Sequence, residues 1–137
     1  AKVTSALDDV LALAEARRQG ADEAVLANTS GALAEGTGSN VFVVVDGVLA
    51  TPALATGCLP GITRELVCEL VEVVERDDLT LDDLRQADEA FLTSSTRDVQ
   101  PIESVDGLPI GSAEGPGPVT SAVVASFAVL QRSTSDP

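Results

Sequence analysis

The chain has 137 residues, of which 45% are hydrophobic, and its formal net charge is −14 with a pI near 4.1. This length suits one domain with a real core, and the hydrophobic content excludes a disordered polar chain. The acidic field opposes nucleic acids and anionic membranes, and no apolar run reaches the length of a membrane span. An anionic ligand would therefore need a local binding site.

Histidine is absent, and the only two cysteines are Cys58 and Cys68. The lack of histidine excludes a Ser-His-Asp triad and a Cys/His zinc site within this chain. Two cysteines in a chain of this size do not make a disulfide framework. We therefore expect reduced thiols, no metal and a cytoplasmic protein.

The first part of the chain predicts a helix over residues 5–19, because Leu7, Val10 and Leu11 begin an apolar pattern at helical spacing. Ser5 is the expected N-cap and Gly20 the expected stop. "EAVLAN" then predicts a strand, "TSG" a turn, and "ALAEG" a strand that pairs back. Asp-Gly between the β-rich "NVFVVV" and "VLAT" predicts a β-hairpin.

Further along, "PGITRELVCELVEVVER" predicts an amphipathic helix of about four turns. Thr80 is the expected cap of a short helix, "LDDLRQA", and "EAFLTSST" predicts a strand that ends in a hydroxyl-rich loop. "PIESVDGLPI" contains a second Asp-Gly hairpin, and a closing helix follows the loop "GPGP". Because the strands come mostly in hairpins with helices between them, we predict an α+β domain over 1–132 and a disordered tail at 133–137.

Two short segments carry groups that can donate hydrogen bonds to a phosphate. In "LPGITRE", the Gly-Ile-Thr segment (Gly61, Ile62, Thr63) begins the predicted long helix, where free N–H groups and the helix dipole favour an anion. "LTSSTRD" follows a strand and carries four hydroxyls, the Thr-Ser-Ser-Thr segment: Thr93, Ser94, Ser95 and Thr96. Each segment alone is better explained as an ordinary helix start or a polar turn. Together they could donate to one anion.

Two charged residues stand close to apolar or glycine-rich runs. "EGTGSN" contains Gly-x-Gly, but a strand follows it instead of a helix, which excludes a Rossmann fingerprint and leaves Glu35 unexplained. A lone glutamate there is more often an edge residue than a functional one, and Lys2, the only lysine, is more often a solvated terminus. A desolvated lysine can, however, form a Schiff base. A lysine, a carboxylate and a phosphate site are what pyridoxal phosphate requires of a protein.

In their order and spacing these segments resemble the C-terminal large domain of the fold-type IV pyridoxal-phosphate enzymes, the class IV aminotransferase family. That family includes branched-chain and D-amino-acid aminotransferases and 4-amino-4-deoxychorismate lyase. The runs that carry the resemblance are "KVTS", "VLALAEARRQGADEAVLANTSGALAEGTGSNVFVVVDGVLATP", "LPGITRELV", "ADEAFLTSSTRDVQPIESVDG" and "GPVT". The resemblance implies hairpin-rich mixed sheets, forming a pseudo-barrel flanked by helices.

The resemblance also implies roles for individual residues. Lys2 would form the Schiff base with pyridoxal 5'-phosphate and act as general base and acid. Glu35 would pair with the pyridine nitrogen, and Leu59 would pack on the ring. The phosphate would be bound by residues from both hydroxyl-bearing segments: Ile62, Thr63, Ser94 and Ser95.

The activity that the resemblance implies is transfer of an amino group between an amino acid and a keto acid. The lyase, which forms 4-aminobenzoate and pyruvate, and a non-catalytic remnant of the fold stay open. In the aminotransferase branch a tyrosine follows the lysine by four or five residues, where this chain has Ala6 and Leu7.

Members of the family carry an N-terminal domain before the lysine. That domain supplies another phosphate ligand and much of the substrate pocket. We therefore expect this chain to be the large domain of a longer, homodimeric protein without nucleic-acid or membrane partners. On its own, the chain is expected to bind the cofactor weakly and to be inactive.

Overall fold

The structure is a computed structural model that describes residues 2–5, 17–18, 20, 23–96, 98–111 and 115–135, with the backbone alone at 2–5 and 132–135. These residues form ten strands, three helices and one short 3₁₀ turn at Leu54–Thr56. The helices are α1 (Ile62–Leu70), α2 (Leu81–Arg85) and α3 (Pro118–Ser135). The strands are β1 (Lys2–Ser5), β2 (Ala24–Ala27), β3 (Leu33–Gly36), β4 (Asn40–Val45), β5 (Val48–Pro52), β6 (Val74–Arg76), β7 (Glu89–Ser94), β8 (Asp98–Pro101), β9 (Ser104–Val105) and β10 (Leu108–Pro109).

A five-stranded sheet, in the order β6-β5-β4-β7-β8, is the centre of the fold. Its pairs are antiparallel except for β5 and β6, which run parallel. The hairpin between β4 and β5 turns at Asp46 and Gly47, with φ of 51° and 78°. Positive φ at both turn residues gives the right-handed twist that the strands need, so the first predicted hairpin is confirmed.

A three-stranded sheet, in the order β1-β2-β3, is built from the first part of the chain. β1 runs parallel to β2, with Lys2 opposite Ala24, and β3 runs antiparallel to β2, with Glu35 opposite Leu26. Ser5 is the last residue of β1 and so does not belong to the predicted helix itself. Its predicted role as N-cap depends on residues 6–16, which, with residue 19, lie outside the described residues. Arg17 and Arg18 are helical, as predicted.

Two apolar clusters cover the two faces of the five-stranded sheet. On one face, Phe42 and Phe91 stack with their ring centroids 4.8 Å apart, beneath Val67 of α1 and Phe127 of α3. On the other face, alternate residues of the same strands, such as Val43, pack against the three-stranded sheet and α2. The sheet is therefore the middle layer of the fold, and α1 and α3 lie together on one side of it.

α1 is shorter than the predicted four-turn helix, since it ends at Leu70 and Val71 is extended. The residues that follow, Val74–Arg76, instead form β6 alongside β5. The β-branched side chains of this valine-rich stretch favour extended backbone, and the open edge of β5 offers hydrogen-bond partners. The prediction of one continuous helix to Arg76 is therefore wrong.

The other predicted elements agree with the structure. β2, β3, β7, the second Asp-Gly hairpin and α3 lie where they were expected, and Thr80 caps α2 in a reciprocal capping box with Asp83. β8 was not predicted. α3 extends through Ser135, three residues into the segment that the sequence predicts as a tail. Among the described helices, none combines the length and the apolar character needed to cross a membrane.

Candidate functional site

The Glu35 carboxylate is bound to the segment that precedes α1. Glu35 lies on β3 and is half-buried, and its Oε1 accepts the Leu59 backbone N–H at 2.9 Å. Leu59 itself leaves 52% of its surface exposed. The fold therefore places the Glu35 carboxylate on the backbone of a residue whose apolar side chain is half exposed.

Asn40, the first residue of β4, attaches the same segment to the sheet. Its Nδ2 donates to the Leu59 carbonyl at 2.6 Å. A Cβ at Gly61 would overlap the Asn40 Oδ1, so a larger residue would require the Asn40 side chain or the helix start to shift. Asn40 was not among the predicted site residues, although a polar residue opening the apolar run "NVFVVV" is a signal that could have drawn attention to it.

The start of α1 presents backbone donors without a side-chain cap. Gly61 is the N-cap residue and makes no side-chain hydrogen bond to the helix. The N–H groups of the first turn consequently have no partner within the helix, and they lie at the positive end of its dipole. Ile62 is 76% exposed there, whereas Thr63 is buried. This end of α1 can bind an anion through its backbone.

The Thr-Ser-Ser-Thr segment reaches the same region from β7. Thr93 lies directly opposite Asn40 in the antiparallel β4–β7 pair. Asn40 in turn bonds the Leu59 carbonyl and lies beside Gly61, so it links the two segments. Ser94 ends β7, and Ser95 and Thr96 are exposed in the turn that follows, with 3.4 Å between the hydroxyls of Ser94 and Thr96. The two predicted hydroxyl-bearing segments are therefore neighbours in the fold.

The backbone of Lys2 lies in the sheet that carries Glu35. Lys2 is aligned with Ala24, and Glu35 is aligned with Leu26. Because alternate residues of a strand share a face, this register places position 2 and Glu35 on the same face. β2 lies between them, so their strands are about 10 Å apart.

Arg64 lies in the first turn of α1, where a positive charge opposes the helix dipole. It is 1% exposed, and its guanidinium donates to Glu75, to the Pro52 carbonyl at 3.1 Å and to Glu65 at 2.7 Å. Burial alone would lower the pKa of Arg64, but the hydrogen bond to Glu75 and nearby negative charges raise that pKa overall. Arg64 thus joins the start of α1 to the β5–β6 edge. In the sequence, the signal for Arg64 was a positively charged residue in a first helical turn that lacks a capping side chain.

Glu23 stabilises the turn that follows Glu35. Its buried carboxylate accepts the hydroxyls of Thr37 and Ser39 and the N–H of Ala24. All three polar side chains are less than 9% exposed, and Thr37 and Ser39 lie in the turn between β3 and β4. The turn "GTGS" is therefore held by a buried polar cluster.

These groups fit pyridoxal phosphate by their chemistry. Glu35 offers a carboxylate to a protonated ring nitrogen, Leu59 offers an apolar surface, and the start of α1 offers N–H groups to a phosphate. One more polar atom is available nearby, because the buried Thr93 Oγ1 has no hydrogen-bond partner among the described residues. No group of His, Cys, Asp or Glu in the described part of the chain could hold a metal ion.

Comparisons with known proteins identify the family to which the chain belongs. Residues 1–105 match the family model of amino-transferase class IV. A branched-chain-amino-acid aminotransferase of Pseudomonas aeruginosa is 44% identical over 119 residues, which are 83% of this chain and 38% of that relative. This chain therefore spans about two fifths of that curated relative's length.

Solved structures show the same likeness. The branched-chain amino acid aminotransferase of Escherichia coli superposes with a TM-score of 0.86 and 33% identity, over 95% of this chain and 51% of that one. The holo-form of the branched-chain amino acid aminotransferase of Thermobaculum terrenum, with PLP, has a TM-score of 0.80 and 37% identity, over 89% of this chain and 41% of that one. The prediction of the fold-type IV architecture is confirmed, and the chain belongs to the class IV family of pyridoxal-phosphate-dependent aminotransferases.

Proposed function

We propose that this chain is the cofactor-binding part of an aminotransferase that moves an amino group between a branched-chain amino acid and a keto acid. The observation that carries the proposal is the bond from the Leu59 N–H to Glu35, which joins the predicted ring-binding carboxylate to the predicted ring-packing residue. The names of the relatives supply the substrate class. Because the chain spans only part of their length, the activity is proposed for the whole enzyme that contains it.

Glu35 acts on the electronic state of the cofactor ring. Bound pyridoxal phosphate supplies an electron sink for negative charge on the substrate α-carbon, and the sink is stronger when the ring nitrogen keeps its proton. A carboxylate beside that nitrogen favours the protonated form. The Leu59 N–H fixes one Glu35 oxygen, so the carboxylate keeps its orientation when no cofactor is bound.

Lys2 is the proposed point of attachment for the cofactor. Its Nζ would hold the cofactor aldehyde as an imine, with loss of water, and when displaced by the substrate amine it would act as general base and acid at the substrate α-carbon. The register that places position 2 on the Glu35 face of the three-stranded sheet supports this assignment.

The phosphate group is bound by the Gly-Ile-Thr segment together with Ser94 and Ser95. A net charge of −14 disfavours any anion at long range, so attraction has to come from local donors. The uncapped start of α1 and the neighbouring hydroxyls provide such donors. The homodimer that the resemblance implies and the cytoplasmic location expected from the cysteine content belong to the same proposal.

Reductive trapping tests the proposal directly, because Lys2 is the only lysine of this chain. The whole enzyme that contains the chain is incubated with saturating pyridoxal phosphate and reduced with borohydride, and the modified peptides from this chain are mapped. We expect the label on Lys2 and its loss in Lys2→Arg. A label that persists in Lys2→Arg, or none in either protein, would contradict the proposal and favour a non-catalytic remnant.

The whole enzyme is then assayed with leucine, isoleucine or valine and a keto acid acceptor. Turnover of these amino acids is expected. Turnover of 4-amino-4-deoxychorismate alone would instead identify the lyase.

A further inference from the structure

Thr93 is a buried residue with an unexplained polar atom. It is 1% exposed, and its Oγ1 makes no hydrogen bond within the described part of the chain. A buried hydroxyl without a partner destabilises the folded state, and native proteins contain few of them. An unpartnered buried hydroxyl requires an explanation. A ligand that bonds the hydroxyl during function is one explanation.

The face of the sheet on which Thr93 lies leads to the start of α1. Phe42 and Phe91 are paired and stack beneath α1, so the next residues on the same face, Asn40 and Thr93, form the following pair along the strands. Asn40 bonds the Leu59 carbonyl and touches the space beside Gly61. Thr93 therefore lies beneath the start of α1, at the point where the Thr-Ser-Ser-Thr segment begins.

We propose that the Thr93 hydroxyl is a further phosphate donor, placed between the Gly-Ile-Thr segment and Ser94–Ser95; this inference rests on the proposed function. A phosphate dianion carries more acceptor sites than one helix start satisfies, and a hydroxyl donor to an anion forms a strong hydrogen bond. Without the phosphate, Thr93 lowers the stability of the fold. With it, the same hydroxyl contributes to affinity.

Two other buried threonines provide matched controls. Thr120 on α3 is also 1% exposed with an unpartnered Oγ1 among the described residues, but it lies beside Glu89 at the start of α3. Thr51 on β5 is fully buried, and its Oγ1 donates to the Val41 carbonyl at 2.7 Å. Threonine-to-valine replacement keeps the shape of the side chain and removes only the hydroxyl.

The experiment measures thermal unfolding without ligand and the affinities for pyridoxal phosphate and for pyridoxal, which lacks the phosphate. We expect Thr93→Val to raise the unfolding midpoint and to weaken pyridoxal phosphate binding about tenfold, since a hydrogen bond to a charged group is lost. Its pyridoxal affinity should not change. Thr93→Ser, which keeps the hydroxyl, should retain the native preference for the phosphate form.

The controls separate this role from ordinary packing. Thr120→Val should raise the unfolding midpoint without changing either affinity. Thr51→Val should lower the midpoint, because it leaves the Val41 carbonyl without a partner, and should preserve the ratio of the two affinities.

Three results would overturn the inference or the proposed function on which it rests. If Thr93→Val leaves the ratio of affinities unchanged, or weakens both ligands equally, Thr93 does not bind phosphate, while the proposed function stands. If Thr93→Val does not fold, Thr93→Ala takes its place and an unchanged ratio again rejects the inference. If the whole wild-type enzyme does not prefer pyridoxal phosphate over pyridoxal, the proposed function itself fails.

Discussion

The Leu59 N–H donates to Glu35 across 2.9 Å and joins positions that are 24 residues apart in the chain. Asn40 holds the Leu59 carbonyl from the other direction, at 2.6 Å. Leu59 is thus fixed through both of its backbone polar groups while its side chain stays half exposed. Backbone fixation of an exposed apolar residue pre-organises a surface for a planar ligand, because little order has to be gained on binding.

Replacing Glu35 by glutamine separates the charge from the hydrogen bond. The amide oxygen can still accept the Leu59 N–H, so the unfolding midpoint should remain close to that of the wild type. Turnover of the whole enzyme should fall by about 100-fold, because electrostatic support of the developing charge is lost. Steady-state kinetics and thermal unfolding measure the two effects.

Glu69→Gln on the exposed side of α1 is the matched control, since it removes the same charge away from the site. It should leave turnover unchanged. Equal loss of activity in both variants would show that net charge, and not the position of Glu35, determines the rate.

Gly61→Ala tests the close approach of β4 to the start of α1. The new Cβ would overlap the Asn40 Oδ1, so Asn40 or the helix start has to shift. Overpacking of this kind costs about 1–3 kcal/mol, and cofactor affinity should fall with it. Denaturant unfolding and a pyridoxal phosphate titration measure both changes.

The double variant Gly61→Ala/Asn40→Ala removes the atom that is overlapped. Its loss of stability should be smaller than the sum of the two single losses, because residues in contact are coupled. Additive losses would show that Asn40 is not what requires glycine at position 61.

The predictable parts of this fold have signals within a few residues of sequence. Asp46-Gly47 and Asp106-Gly107 specify their own turns through positive φ, and Thr80 with Asp83 specifies its own helix start. The elements that were missed depend on distant partners. β1, with four residues, pairs with β2, and β6, with three residues, pairs with β5. Neither strand is long enough for its local sequence pattern to distinguish it from a helix or a loop.

The residues of the candidate site also divide into those that could be predicted from the sequence and those that could not. Glu35 and Leu59 were assigned from family resemblance and the Gly-Ile-Thr segment from its own residues, and the fold brings them into contact or close to it. Asn40 and Arg64 were not proposed. A local signal was present for each, but their partners, the Leu59 carbonyl and Glu75, become neighbours only through tertiary folding, so no local rule could identify those partners.

Arg64 and Arg76 differ in burial, which predicts different effects of replacement by methionine. Arg64 is buried against half-exposed carboxylates, and it also donates to the Pro52 carbonyl. Arg64→Met leaves that carbonyl without its donor while the carboxylates regain water, so the free energy of unfolding should fall by about 1–3 kcal/mol. Arg76 forms an exposed pair with Asp78, and Arg76→Met should change stability little. Denaturant titration of the two variants compares them, and an equal loss would contradict the assigned role of Arg64.

Cys68 provides a test of electrostatics next to α1. Burial raises the pKa of its thiol, and the nearby Arg64 charge opposes that rise only in part. A raised native pKa means that the folded protein holds the proton more tightly than the unfolded chain does. The stabilising contribution is therefore present below the unfolded pKa of about 8.5 and is lost as the pH rises through the native value.

We expect Cys68 in a Cys58→Ser background to react with iodoacetamide more slowly at pH 8 than after unfolding, because less thiolate is present. Removing the positive charge in Arg64→Met should raise the Cys68 pKa further and shift the rate profile to higher pH. Alkylation rates measured between about pH 7 and 10 give the Cys68 pKa with Arg64 present and with Arg64→Met. A native Cys68 that reacts at the unfolded rate, or a profile that Arg64→Met moves to lower pH, would show that burial and Arg64 do not act on this thiol as the structure indicates.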